Sequence, residues 1–156
     1  MNVVRPGLGW RLAAGCTVLA LLGCSPESLS REDLHTVKIR TPGGKEIRAE
    51  RAMTQEELTR GMKYRESLAA DRGMLFFHLK EGNYPYWMHE VKVPLDLVWL
   101  DKDRKVVQIV YDAPPCPGPP ENCKMYGGGF RAMYVLEVAA GQAKALSIRP
   151  GTVLDF

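Results

Sequence analysis

The hexapeptide Leu95-Asp96-Leu97-Val98-Trp99-Leu100 constrains the fold more than any other stretch of the chain. In a strand successive side chains point to opposite faces. Leu95, Leu97 and Trp99 make one face apolar, and Val98 and Leu100 make the other apolar as well. Such a strand is buried on both faces, so the sheet that holds it needs cover on each side. Tyr134-Val135-Leu136-Glu137-Val138 has the same character. Each segment carries one carboxylate, Asp96 or Glu137, and a buried carboxylate must find a partner or stay protonated. Arg60, Arg65 and Arg131 could offer a bidentate guanidinium, a geometry that suits Arg better than Lys. Two readings follow for each acid: a fold-fixing ion pair or backbone anchor, or a carboxyl group in a binding or acid/base site.

Around these two segments the chain reads as short strands. Thr36 to Arg40 alternates, meets the turn composition Thr41-Pro42-Gly43-Gly44, and returns as Glu46 to Arg51, a first hairpin. Thr54-Gln55-Glu56-Glu57 has the form of a capping box, which starts a helix that should stop near Tyr64, with Leu58 and Met62 on its core side. Further strands are expected at Met74 to Leu79, Pro85 to Val91, Leu95 to Leu100, Val106 to Tyr111 and Tyr134 to Val138. A helical turn near Gln142 to Leu146 and a last strand, Thr152 to Phe156, complete the pattern. At 156 residues with 46% hydrophobic content the chain can bury one ordinary core. Strands dominate and no regular strand-helix alternation occurs. The expectation is a mainly β, compact single-domain barrel or sandwich of short strands with one or two short helices.

The run Glu57-Leu58-x-Arg60-Gly61-Met62-x-Tyr64-Arg65-x-x-Leu68 is followed by Arg72-Gly73-Met74-Leu75-Phe76, Trp87-Met88, Pro94-Leu95-Asp96 and Tyr134-Val135-Leu136-Glu137-Val138, with Gly141 and Gly151. In this order, over residues 36 to 156, the chain resembles the family called domain of unknown function 192. The resemblance implies a compact, mainly β domain, often behind a signal peptide. It implies no activity and no catalytic residues. The chain departs from the pattern at His89-Glu90-Val91, where relatives usually show Lys-Asn-Thr. If that segment lines a site, its charge and hydrogen bonding differ here.

The N-terminus says where such a domain works. Arg5 and Arg11 precede the apolar run Leu12 to Gly23, which suits a secretory signal but falls short of the about 20 residues needed to span a bilayer. The run ends in Leu21-Leu22-Gly23-Cys24, which resembles a bacterial lipobox. Residues 1–23 are therefore expected to be a lipoprotein signal peptide, with Cys24 carrying the acyl chains that anchor the protein. Ser25 after the cysteine is compatible with the outer membrane, facing the periplasm, in a Gram-negative cell. Residues 24–35, polar and without a lasting period, read as the lipidated cysteine and a tether to a domain over 36–156, with His35 solvated at its end. Without the leader's two arginines, nineteen basic side chains face eighteen acidic ones, which is no electrostatic footprint for nucleic acid.

The domain retains Cys116 and Cys123, and an even pair in an exported chain reads as a disulfide. Their spacing fits no zinc knuckle, and no metal or other cofactor is expected. Tyr126-Gly127-Gly128-Gly129 lacks the Lys and helix of a phosphate cradle and reads as a flexible loop. Ser67 and Ser147 lack a nucleophile elbow. Tyr84, Tyr86, Trp87 and Tyr126 form an aromatic group of the kind that packs in a core or stacks on sugars and peptides. Three functions stay open. The first is a lipid-anchored, non-enzymatic module that binds an envelope component or protein, around Trp87, His89 and the Tyr126 to Phe130 loop, with Arg60, Arg65, Asp96 and Glu137 as further candidate binding residues. The second is a hydrolase or lyase that uses Asp96 or Glu137 with an Arg partner. The third is a metal-handling lipoprotein using His78 and His89 with Met74, Met88 or Glu90.

Overall fold

The computed structural model describes residues 1–2 and 35–156. The expected signal peptide and the lipidated Cys24 with its tether lie outside the described residues, but for Met1, Asn2 and His35. Strand β1, Thr36–Arg40, and strand β2, Glu46–Ala52, form the expected antiparallel hairpin. Its turn closes where the Thr41 N–H and hydroxyl both donate to the Lys45 carbonyl, at 2.9 and 3.0 Å. Helix α1, Gln55–Arg60, begins with the capping box: Thr54 Oγ1 accepts from the Glu57 N–H, and Glu57 Oε2 accepts from the Thr54 N–H. It ends at Arg60, four residues before the expected end near Tyr64, with Gly61 as its C-cap. There φ turns to 49°, and the Gly61 N–H donates to the Glu57 carbonyl at 2.8 Å.

Strands β3 (Arg72–Gly82), β5 (Leu95–Leu100), β6 (Val106–Ala113) and β8 (Ala132–Ala139) join the hairpin in one sheet, in the order β1-β2-β3-β8-β5-β6. The β2–β3 pair is parallel and the other pairs are antiparallel. Two three-residue strands, β4 (Pro85–Trp87) and β7 (Met125–Gly127), form a separate small sheet. Helix α2, Gln142–Ala145, follows β8. The domain is mainly β, as expected, and it is a compact sheet covered on both faces, not a closed barrel.

All six residues of β5 are buried, as the opening argument requires. One face packs Ile47, Leu75, Val98, Leu100, Leu136 and Val138 under α2 and the C-terminal segment. The other packs Met74, Phe76, Leu95, Leu97, Trp99 and Val135 against Met62, Met88 and the small β4–β7 sheet.

Three sequence expectations change. The expected strand Pro85 to Val91 ends at Trp87, because Glu90 takes φ 62° and breaks the extended run; His89 keeps only a single bridge, to Cys116. The expected last strand forms two single bridges, Asp155 with Arg40 and Val153 with Lys105, so the C-terminal segment ties the two edges of the sheet at one end. Gly127, expected in a loop, closes β7: at φ 74° it lies so close to Trp99 that a Cβ would fall 2.3 Å from the indole. Only glycine fits there.

Candidate functional site

The two buried carboxylates occupy neighbouring central strands yet face opposite sides of the sheet. Asp96 stands opposite Val138, and Glu137 stands opposite Leu97, one residue along each strand. Asp96 is fully buried, and its two oxygens are both taken. Oδ1 accepts from the Asp112 N–H and Oδ2 from the Ala143 N–H, each at 2.9 Å. Ala143 is the second residue of α2, so the carboxylate caps that helix and sits at the positive end of its dipole. Asp112 is held at φ 52°, the strained end of β6. Of its two readings, Asp96 is the backbone anchor.

Glu137 has no such partner. Its Oε2 is buried without a hydrogen-bond partner among the described residues. Burial pushes its carboxyl up to about 8, against a weaker downward pull from the Arg65 guanidinium. Gly73 lets β3 pass close to β8 at this point, since a Cβ there would fall 2.6 Å from the Glu137 carbonyl oxygen. Glu137 lies at a small cleft of about 40 Å³, shared with Arg60 at the end of α1, Met62 and Lys63 just after it, Phe76 of β3, Tyr86 and Trp87 of β4, and His89.

His89 repeats the pattern. Its Nδ1 is buried and also lacks a hydrogen-bond partner among the described residues; Glu90 Oε2 lies 3.7 Å away, beyond hydrogen-bond reach. The Trp87 ring is 38% exposed, with its centroid 5.1 Å from that of His89. Tyr86 is partly buried against the core, its ring edge-on to Phe76 and Trp99, its hydroxyl 3.2 Å from His78 Nε2. Burial, then the Glu137 charge, then Tyr84 raise the Tyr86 phenol, so it stays protonated. His78 stacks on Tyr84 with ring centroids 3.5 Å apart, and burial lowers its affinity for a proton. A shallower groove of about 250 Å³ runs beside the cleft along His78, Tyr84, Pro85, Tyr86 and Trp87.

The sequence candidates therefore sort by position. Arg60, Trp87, His89 and Glu137 come together at one cleft. Arg65 lines an adjoining cleft of about 320 Å³, where Arg60 is again a wall. Its guanidinium forks onto Glu50, with both N···O distances 2.6 Å, and this pair holds the Glu50 carboxyl below its usual range. Asp96 lies on the opposite face and Arg131 donates to the Glu81 carbonyl at 3.0 Å. His89 lies near Glu90 and shares the cleft with Glu137, but around it, His78, Met74 and Met88 no group of three or more His, Cys, Asp or Glu that could hold a metal ion gathers among the described residues.

Sequence reasoning missed two supports of the cleft. Lys63 lines it and pairs with Glu90 at 3.2 Å. The disulfide Cys116–Cys123 is formed as expected, and it also braces the site. The Cys116 N–H donates to the Met88 carbonyl at 3.0 Å, and the Glu90 N–H donates to the Cys116 carbonyl at 3.3 Å, so the bridged loop grips the backbone on both sides of His89.

The sequence pattern of a family described as DUF192, "Uncharacterized ACR", matches residues 37–156. Two solved structures share the fold. A protein of unknown function from Novosphingobium aromaticivorans is 27% identical, with a TM-score of 0.68 over 78% of this chain and 84% of that one. A protein from Sinorhizobium meliloti, titled a "putative transcription regulator", is 28% identical, with a TM-score of 0.68 over 77% of this chain and 91% of that one. No curated protein matches the chain.

Proposed function

The chain belongs to the DUF192 family, and from its cleft we propose that it is a lipid-anchored bacterial envelope protein whose domain binds a small polar ligand between α1 and the β4–β7 sheet. Two residues that line the same cleft, Glu137 and His89, each hold a buried polar atom, Oε2 and Nδ1, without a hydrogen-bond partner among the described residues, and this carries the reading. An unsatisfied buried polar group costs about 1–3 kcal/mol, and buried polar atoms are otherwise nearly always paired. A ligand that supplies both partners recovers that cost on binding. Trp87 and the aromatic groove give such a ligand apolar surface beside the polar floor.

A hydrolase or lyase drawing on both carboxylates finds no support in this geometry, since Asp96 and Glu137 face opposite sides of the sheet. Binding without chemistry requires only what the cleft offers. Export and anchoring rest on the Leu21-Leu22-Gly23-Cys24 motif and the apolar run before it. The nearly balanced charge that follows offers nucleic acid no basic face.

The test is a comparison of native and denatured masses of the protein extracted gently from membranes. The expected result is a native excess that vanishes on denaturation and is lost in a Trp87→Ala, His89→Ala variant that still unfolds cooperatively. An excess that survives in that variant places the ligand elsewhere and rejects the reading. The denatured mass should equal the chain from Cys24 onward plus acyl groups; the mass of the unprocessed chain would reject the anchor.

A further inference from the structure

We propose that the ligand of this cleft is a neutral carbohydrate, with a hexose ring lying along Trp87 and hydroxyls reaching Glu137 and His89. This rests on the reading above that the cleft binds a ligand, and it names the chemical class.

Size comes first. The inner cleft, about 40 Å³, admits a hydroxyl or hydroxymethyl group but no ring, since one water needs about 10–15 Å³ on such a measure. The groove beside it, about 250 Å³, is long enough for a ring and shares Trp87 and Tyr86 with the inner cleft. A molecule that fills both is a ring carrying short polar arms.

The walls select the ring's chemistry. Tyr84, Pro85 and the half-exposed Trp87 present flat apolar surface, which takes the C–H face of a saturated ring. The floor selects the arms. A carboxyl kept protonated by burial offers one donor and a free acceptor, and the unpartnered ring nitrogen of His89 offers a further polar contact, so both groups match hydroxyls, which give and receive.

Charge weighs against the ionic alternatives. Lys63 is matched by Glu90 at 3.2 Å, and Arg60 lies within the fields of Glu57 and of Glu50, which Arg65 also holds. Little positive charge is left for an anion. A cation would need Glu137 ionised in a pocket that buries it.

The experiment uses the full chain in a polyoxyethylene detergent, titrated separately with methyl glucoside, methyl galactoside, acetate and tetramethylammonium, while the indole N–H of Trp87 and the ring of His89 are followed by NMR. The neutral glycosides should shift both groups. Trp87→Ala should weaken the binding about tenfold and Trp87→Phe, which keeps a ring, about threefold. Glu137→Gln, neutral and of the same shape, should keep the affinity within about threefold. Wild-type binding should fall above pH 8 while that of Glu137→Gln does not. Shifts with acetate or tetramethylammonium alone, or loss of glycoside binding in a folded Glu137→Gln, overturn the carbohydrate and leave the cleft reading in place. Silence with all four probes also overturns it, and the cleft reading is then judged by the native mass.

Discussion

On one face of the central sheet Asp96 is wholly buried and wholly satisfied, its oxygens tying Asp112 and the start of α2 to β5. On the other face, one residue along the neighbouring strand, Glu137 is equally buried and lacks a partner for Oε2 among the described residues. The same residue class, the same depth and the same sheet give opposite results. Burial therefore does not separate an acid that builds the fold from one available to a ligand; the fate of its lone pairs does.

The largest expected effect tests that contrast through pH. The Glu137 carboxyl is raised from 4.5 to about 8. Between those values the folded chain holds a proton that the unfolded chain has released. Stability contributed by this group is therefore fully present below about pH 4.5 and falls as pH rises through about 8, by on the order of 5 kcal/mol. Urea unfolding of wild type and Glu137→Gln across pH 4 to 9 should give a difference curve with that slope. A flat difference would place Glu137 with the satisfied acids.

Next in size, Asp96→Ala leaves the buried Ala143 N–H and the partly buried Asp112 N–H without an acceptor and should cost about 3 kcal/mol, whereas Glu137→Gln at pH 6 should cost less than about 1 kcal/mol. Equal losses would erase the distinction between the two faces. Reducing Cys116–Cys123, which closes a short loop, should cost about 2.5 kcal/mol by chain entropy. Amide exchange should quicken at Glu90 and Cys116 while Ala143, on the Asp96 face, keeps its protection. Smallest is the local cap. Thr54→Ala should cost about 1 kcal/mol, well under the loss of Asp96, because α1 is capped at the surface and α2 from within the core. Thermal melts of the two variants give the ranking directly.

The strand content was legible in the sequence because burial on both faces leaves an unmistakable mark in Leu95–Leu100, and the capping box at Thr54 depends only on residues three apart. The pairing was not. β8 lies between β3 and β5, and β2 runs parallel to β3; both depend on contacts distant in sequence. Of the site, Arg60, Trp87, His89 and Glu137 stood out as unusual residues in apolar or family-matching surroundings, and they do share a cleft. The partners of Asp96 were hidden for a physical reason. The sequence displays guanidinium groups, but the acid is met by backbone N–H groups 16 and 47 residues away, which every residue but proline carries. The brace behind His89 was hidden in the same way, as it is made by the backbone of Cys116.

The strand order also sets a timetable. β8, the strand that joins β3 to β5, is the last of the sheet to leave the ribosome. Until it arrives the chain holds two separate pieces, β1-β2-β3 and β5-β6, each with an open central edge, and such edges invite pairing with other chains. A chain that stops before Ala132 has no way to join them, and it lacks Glu137 too. Assembly of the sheet and completion of its cleft are one event, and it comes late.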